Sequence, residues 1–214
     1  MKILNLYAGI GGNRKLWTPN GDEHEITAVE YKPEIAKIYQ DFFPKDKVIV
    51  GDAHQYLLNH FQEFDFIFSS PPCPTHSVMM KINCLNPYKD NSKQITNGGG
   101  KKIIYPEMEL YQEIILLKTF FRGKYVVENV ISYYEPLITP QLVAKHYFWA
   151  NFLISEIQTQ NRGHHLGLEG CQKRKGFDLK KYKNIDKRKI LRNCVEPEVG
   201  QHIMNCLILW NQNV

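Results

Sequence analysis

The chain has little of what marks a secreted or membrane-bound protein. Its five cysteines among 214 residues are an odd number at irregular spacing, which argues against a disulfide framework. No apolar run approaches the length that spans a bilayer, and the first residues lead into a strand-like segment without the apolar stretch of a signal peptide. An early glycine-rich loop is not followed by Gly-Lys-Ser/Thr, which excludes a Walker phosphate loop. We therefore expect a cytosolic protein.

Positive charge is concentrated in one part of the sequence. The net charge is +5, but the segment from Lys173 to Arg192 contains ten Lys or Arg and two Asp, so it carries +8 and the remainder carries −3. Such a run is commonly a solvated face. A basic segment in an otherwise slightly acidic chain is also the electrostatic footprint of a nucleic-acid binder. The charge pattern alone leaves both interpretations open.

Strand-like and helical patterns alternate through the first half of the chain. Short apolar runs that predict strands and amphipathic stretches that predict helices are separated by Gly, Pro and Asp. The predicted strands are 3–7, 26–30, 48–50, 66–68 and 124–128, and the predicted helices are 33–43, 53–61, 106–121 and 197–210. The alternation predicts an α/β fold with a mostly parallel sheet, in which ligands bind beyond the carboxyl ends of the strands.

Residues that suit a nucleoside-type cofactor follow three successive predicted strands. The loop Tyr7-Ala8-Gly9-Ile10-Gly11-Gly12 lets a ligand approach the backbone closely. Glu30 ends the second strand, where a carboxylate can accept hydrogen bonds from both hydroxyls of a ribose. Asp52 ends the third strand and can accept from an adenine amino group. Either carboxylate alone is commonly a helix cap or a surface residue, but three sites in succession favour a nucleoside-type cofactor.

A candidate nucleophile and a candidate acid follow the next two strands. Cys73 lies in Ser69-Ser70-Pro71-Pro72-Cys73-Pro74-Thr75-His76-Ser77. A free cysteine is commonly a buried structural residue, but the two prolines before this one stiffen the backbone, as suits a thiol that must be aimed. The fifth strand ends in Glu128-Asn129-Val130, so a carboxyl group is expected in the same crevice. A nucleophile and a nearby acid are the groups needed for attack on an electron-poor ring.

These motifs, in this order, resemble those of the DNA cytosine-5 methyltransferase family over roughly residues 1–162. Tyr7 to Gly12 resembles its Phe-x-Gly-x-Gly-Gly loop, Pro71 to Cys73 its Pro-Pro-Cys loop, and Glu128 to Val130 its Glu-Asn-Val signature. The resemblance implies a Rossmann-like S-adenosylmethionine-dependent methyltransferase fold with helices on both faces of the sheet. It implies S-adenosylmethionine as methyl donor, no metal, and double-stranded DNA as substrate. A cytoplasmic protein of a prokaryote or phage, which protects DNA from restriction, would fit this description.

The resemblance also implies a role for each residue of the site. Cys73 would attack carbon 6 of a flipped-out cytosine to form a covalent intermediate, and Glu128 would hydrogen-bond or protonate ring N3. The implied catalytic residues are Cys73, Ser77, Glu128, Asn129 and Arg162. The implied cofactor-binding residues are Tyr7, Ala8, Gly9, Gly11, Gly12, Glu30, Tyr31, Asp52, Ala53 and Pro72.

The chain departs from the family where members usually read DNA. Only residues 163–191 stand in place of a substantial target-recognition region, between a catalytic domain at 1–162 and a helix within 192–214 that is predicted to return to that domain. Gln160 replaces the middle arginine of the family's Gln-x-Arg-x-Arg motif, and Gly200-Gln201-His202-Ile203 replaces its last motif. Either the recognised DNA sequence is short, or a second protomer or partner subunit contributes.

Two other functions stay open at this point. The small recognition segment also suits a non-catalytic DNA-binding or partner subunit, although the intact Cys73, Glu128 and Asn129 speak against it. The same chemistry on RNA or free nucleotides is the other alternative. The lysine-bearing stretch after Cys73 is expected to form a lid whose cations contact phosphates; its lysines are Lys81, Lys89, Lys93, Lys101 and Lys102.

Overall fold

The computed structural model describes residues 1–17, 24–78, 106–157 and 167–212. The strands within these residues are β1 (Lys2–Leu6), β2 (Glu25–Glu30), β3 (Lys47–Val50), β4 (Phe66–Ser69), β5 (Lys124–Val130), β6 (Gln141–Val143) and β7 (His146–Ala150). The α-helices are α1 (Pro33–Phe42), α2 (Ala53–His60), α3 (Glu109–Phe120), α4 (Leu168–Lys175), α5 (Lys187–Asn193) and α6 (Pro197–Gln212). Two 3₁₀ helices, η1 (Asn13–Leu16) and η2 (Phe61–Glu63), complete the described elements.

The strands form one sheet in the order β3-β2-β1-β4-β5-β7-β6. The first five strands are parallel to one another, whereas β7 pairs antiparallel with both β5 and β6. The carboxyl ends of β1 to β5 therefore lie at one edge of the sheet. That edge is where ligands bind in open α/β sheets.

Both faces of the sheet are covered by helices. Successive strand residues point to opposite sides, so the buried strands present apolar side chains on each face. Ile3 belongs to a core cluster with α6, which also contains the fully buried rings of Phe66 and Phe68. Leu4 and Leu6 belong to a cluster on the other face with α2 and α3. Each such apolar side chain contributes about 1.5–3 kcal/mol by leaving water. The fold class predicted from the sequence, a mostly parallel sheet with helices on both faces, is confirmed.

The segment of high positive charge packs against α1. Phe177, Leu179 and Leu191 are buried in a cluster with Ile38 and Tyr39 of α1. The Lys and Arg residues of the segment that remain exposed are Lys173, Lys180, Lys181, Lys183, Arg188, Lys189 and Arg192. The segment therefore has an apolar inner side and a cationic outer side.

The boundaries of one predicted helix are wrong at its start. The sequence pattern begins at Pro106, but α3 begins at Glu109. The backbone N–H of Glu107 donates to Thr75 Oγ1 at 3.1 Å, which draws this segment towards the residues after β4 and out of the helix. Among the described residues, no helix is both long and apolar enough to cross a membrane.

Candidate active site

The glycine-rich loop at residues 7–12 follows β1 at the carboxyl edge of the sheet. Tyr7 takes a left-handed conformation at φ 53°, and Gly11 takes φ 83°, which a residue with a side chain rarely adopts. The space beside Gly9 is open, since a Cβ placed there would meet no atom within 4 Å. The loop therefore turns tightly and leaves its backbone accessible to a ligand.

Glu30, at the end of β2, faces this loop. Its Oε2 accepts a hydrogen bond from the Gly9 N–H at 3.0 Å, and its Oε1 accepts from the Lys32 N–H at 3.0 Å. Each carboxylate oxygen has a second lone pair, so the group is held in place and can still accept from two adjacent hydroxyls. The neighbouring Tyr31 is 74% exposed and offers an aromatic face beside that carboxylate.

Asp52 caps helix α2. Its Oδ1 accepts from the Gln55 N–H at 3.1 Å, and the first residue of the helix, Ala53, is buried. Asp52 is therefore the N-cap of this helix, which is the common role of a carboxylate at such a position. The cap occupies one carboxylate oxygen, so the other remains able to accept from an amino group. The open loop, the oriented Glu30 and Asp52 together fit the nucleoside part of S-adenosylmethionine.

The segment at residues 70–78, here named the Cys73 loop, is tied to the end of β5. Asn129 is 2% exposed, and its Nδ2 donates to the Pro71 carbonyl oxygen at 3.2 Å. The backbone N–H groups of His76 and Ser77 both donate to the Cys73 carbonyl oxygen at 3.1 Å. Asn129 therefore fixes the prolines before Cys73, and a tight turn fixes the residues after it.

The far side of the Cys73 loop is held by the residues after β5. Ser77 forms an isolated antiparallel bridge with Ser132. The buried ring of His76 is hydrogen-bonded through Nδ1 to the Tyr134 hydroxyl at 2.5 Å, and the Tyr133 N–H donates to the His76 carbonyl oxygen. Ser77 thus lies in the Cys73 loop, where its backbone helps to close the loop.

Cys73 and Glu128 are brought together at this edge of the sheet. Burial raises the pKa of the Cys73 thiol, and the negative charge of Glu128 raises that pKa further. The Glu128 side chain is itself only 13% exposed. The thiol is therefore held mainly protonated, and its neighbour is a carboxyl group shielded from water.

A basic residue that the sequence did not single out stands beside Glu128. His146, at the start of β7, places its Nε2 3.7 Å from Glu128 Oε1. Its Nδ1 lies 3.3 Å from the Ala144 carbonyl oxygen, in the turn between β6 and β7. Arg162, the residue predicted to assist at the base, lies outside the described residues, as do Gln158, Gln160 and the lid lysines.

Helix α6 closes the site from behind the glycine-rich loop. Gly200 packs against Asn13 so closely that a Cβ would come within 2.6 Å of the Asn13 Cα. The indole N–H of Trp17 donates to the Gly200 carbonyl oxygen at 3.2 Å. A Cβ at Gly12 would overlap the Val195 carbonyl oxygen and Cys194 Sγ. Helix α6 and the residues before it thus back the loop.

Comparison with known proteins agrees with the motifs. Residues 1–96 match the family model described as C-5 cytosine-specific DNA methylase. A curated relative, the Type II methyltransferase M.Bsp6I of Bacillus sp. (strain RFL6), is 32% identical over 78 residues, which are 36% of this chain and 24% of the relative. The resemblance to the cytosine-5 methyltransferase family is therefore confirmed over the matched residues. The chain spans about a quarter of the length of this curated relative.

Two solved structures overlap part of the chain. DNMT2 of Spodoptera frugiperda is 26% identical, with a TM-score of 0.37 over 60% of this chain and 35% of that protein. Dnmt2 of S. pombe is 20% identical, with a TM-score of 0.40 over 61% of this chain and 36% of that protein. The fold of this chain is therefore described from the strand order of its own sheet and not from these partial overlaps.

Proposed function

We propose that this chain, in which residues 1–96 match the C-5 cytosine-specific DNA methylase family, transfers a methyl group to carbon 5 of cytosine in double-stranded DNA. The observation that carries the proposal is that the Cys73 loop is tied to the end of β5 beside Glu128, since Asn129 Nδ2 donates to the Pro71 carbonyl oxygen at 3.2 Å. S-adenosylmethionine, when bound, supplies the methyl group. The oriented Glu30 and the open glycine-rich loop support a site for this donor next to Cys73.

The chemistry assigned to the two residues follows from the electronic character of cytosine. Carbon 5 is a poor nucleophile until a nucleophile adds to carbon 6. Cys73 Sγ forms that bond as its thiol proton passes to the Glu128 carboxylate, and Glu128 places that proton at ring N3, so the negative charge that develops on the ring is neutralised. After methylation, loss of the carbon 5 proton to water, departure of Cys73 as the thiolate and return of the N3 proton to Glu128 restore the neutral aromatic ring. The base must first leave the helical stack, because these atoms are otherwise out of reach.

The other predicted residues take supporting roles. Asn129 and Ser77 hold the Cys73 loop, and Arg162 assists at the flipped base. The donor contacts are assigned to Tyr7, Ala8, Gly9, Gly11, Gly12, Glu30, Tyr31, Asp52, Ala53 and Pro72. The amide of Gly9 already points to Glu30 at 3.0 Å, which supports a single arrangement of loop and carboxylate.

DNA binding is assigned in part to the basic segment within residues 163–191. Its exposed lysines and arginines supply affinity for phosphates, which carries no sequence information. The apolar side of this short segment packs against α1, so only its outer side is left to contact DNA. This arrangement supports the proposal that the recognised sequence is short or that a second protomer or partner subunit contributes.

The first experiment is nucleoside mass spectrometry on DNA from cells that express the protein, with Cys73→Ser as the matched control. We expect new 5-methylcytosine only with the unaltered thiol. Tight donor binding without any modified cytosine would instead support the non-catalytic subunit. Methyl acceptance by RNA or free cytidine nucleotides, but not by DNA, would keep the chemistry and change the substrate.

A second variant separates the acid from the nucleophile. Glu128→Gln keeps the shape of the side chain but removes the negative charge that raises the pKa of Cys73. Alkylation of Cys73 by iodoacetamide at neutral pH should become faster, while methyl transfer falls by about 10²-fold or more, as for loss of a general acid. Equal loss of both reactivities would contradict the role assigned to Glu128.

A further inference from the structure

A carboxylate lies fully buried beneath the site, on the apolar side of its helix. Glu113, in the middle of α3, has 0% of its surface exposed. Its Oε1 accepts from the Tyr7 hydroxyl at 2.6 Å and from His54 Nδ1 at 3.2 Å. Its Oε2 accepts from the Ser69 hydroxyl at 2.7 Å. Three side chains from three different segments thus meet on one group.

Each of these three partners belongs to a part of the candidate active site. Tyr7 is the first residue of the glycine-rich loop and has the left-handed φ of 53°. His54 lies in the first turn of α2, directly after Asp52 and Ala53. Ser69 is the last residue of β4, immediately before the Cys73 loop. The carboxylate therefore joins the donor side of the site to the nucleophile side.

A buried charge at this position needs a reason beyond packing. Its neighbours on α3, Leu110, Ile114 and Leu117, are buried apolar residues, and an apolar residue would fill the same space without desolvating a charge. The acid is tolerated because three donors satisfy it. In addition, the hydrogen bond to Glu113 is the main cause of the raised pKa of His54, so His54 can supply a compensating positive charge.

We infer that Glu113 is a positioning residue that holds the glycine-rich loop and the Cys73 loop in one fixed arrangement. The inference rests on the proposed function for the meaning of the two loops. Glu113 touches neither donor nor base; it acts through Tyr7 and Ser69. Placement of the methyl donor and placement of the thiol are thereby coupled.

The test measures the two loops separately. Binding of S-adenosylhomocysteine by calorimetry reports on the glycine-rich loop. The rate of iodoacetamide labelling at Cys73, measured by peptide mass spectrometry with the half-buried Cys171 as internal reference, reports on the other loop. Glu113→Gln should weaken binding about tenfold and change the Cys73 rate several-fold, as expected when one hydrogen bond to a charged group is lost.

A matched control distinguishes positioning from general destabilisation. Asp46 is also a buried carboxylate with three hydrogen bonds, two from Arg14 and one from the Tyr39 hydroxyl, but it lies on the α1 side of the sheet. Asp46→Asn should lower the melting temperature comparably. It should leave the rate of Cys73 labelling within about twofold, because Asp46 shares no hydrogen-bond partner with the Cys73 loop and distant sites act independently. Equal changes in Cys73 labelling for both variants would overturn the inference.

Two single-atom variants show whether the effects pass through Glu113. Tyr7→Phe should weaken S-adenosylhomocysteine binding, and Ser69→Ala should change Cys73 labelling. In the Glu113→Gln background both should have little further effect; if their effects simply add to that of Glu113→Gln, the inference is wrong. Should Glu113→Gln not fold, the Tyr7→Phe and Ser69→Ala double-mutant cycle decides, because two hydroxyls that share one carboxylate must deviate from additivity.

Failure of the proposed function would look different. If S-adenosylhomocysteine does not bind the unaltered protein, the donor assignment fails, and hydrogen exchange of the amides in residues 7–12 replaces binding as the readout. Faster exchange in that loop together with altered Cys73 labelling in Glu113→Gln would still support positioning. Unchanged exchange and unchanged labelling would refute it.

Discussion

Replacement of Gly200 by alanine tests whether helix α6 sets the position of the glycine-rich loop. Gly200 lies in the first turn of α6 against η1, where an added Cβ would stand 2.6 Å from the Cα and 2.7 Å from the carbonyl carbon of Asn13. Both contacts are to backbone, which cannot rotate away as a side chain can. The helix must therefore move, and its hydrogen bond from the Trp17 indole must lengthen.

Two opposing effects determine the expected magnitude. Helix propensity alone favours alanine over glycine by at most about 1 kcal/mol. Overpacking against a rigid neighbour destabilises by about 1–3 kcal/mol, and loss of the Trp17 hydrogen bond removes about 1 kcal/mol more. The net expectation is a destabilisation of about 1–3 kcal/mol, or roughly 2–12 °C in melting temperature for a chain of this size.

Denaturant unfolding and calorimetric binding of S-adenosylhomocysteine measure the two consequences. Gly200→Ala should lower the free energy of unfolding and weaken binding, because η1 continues directly from the loop. Gly51→Ala is the control, since its Cβ would meet only an Ile49 methyl group at 4.0 Å. It should change stability by less than about 0.5 kcal/mol. A Gly200→Ala protein that is more stable than the original would refute the packing argument.

Two other substitutions test single hydrogen bonds of the site. The bond to Glu113 raises the pKa of His54 in the folded protein, so its stabilising contribution is complete below the unfolded pKa and is lost as pH rises through the folded one. The unfolding free energy that His54→Gln removes should be larger at about pH 5.5 than at about pH 8.5; equal losses at both would contradict this. Asn129→Ala frees the Cys73 loop, so the methyl-transfer rate constant should fall by roughly a hundredfold, a much larger change than that in donor binding. A change in donor binding alone would argue against that role.

The parallel part of the sheet was predictable because its signals are local. Short apolar runs closed by Gly, Pro or Asp identified β1 to β5, and the residues directly after them include the glycine-rich loop, Glu30 and Cys73. The hairpin of β6 and β7 was not identified. Its two-residue turn, Ala144-Lys145, has positive φ at both positions, 50° and 65°, without the Asn-Gly sequence that normally indicates such a turn.

Residues that act through tertiary contacts have no local signal in the sequence. Glu113 stands in an amphipathic helix, where a carboxylate is normally interpreted as solvent-facing, and its three donors come from 44 to 106 positions away in the sequence. His146 approaches Glu128 through an antiparallel pairing that the sequence pattern does not announce. The role of Arg162 stays a prediction.

The order in which the chain leaves the ribosome has a consequence for the donor site. The strands and the glycine-rich loop are synthesised well before α6, yet the loop is backed by residues 194–200, and the Trp17 bond spans 183 positions. Contacts this distant in sequence form late, because a long loop must close first. A nascent chain is therefore expected to build its sheet during translation and to become able to hold the methyl donor only after α6 has emerged. Stalling synthesis before that helix would leave one apolar face of the sheet uncovered and the donor site without its backing.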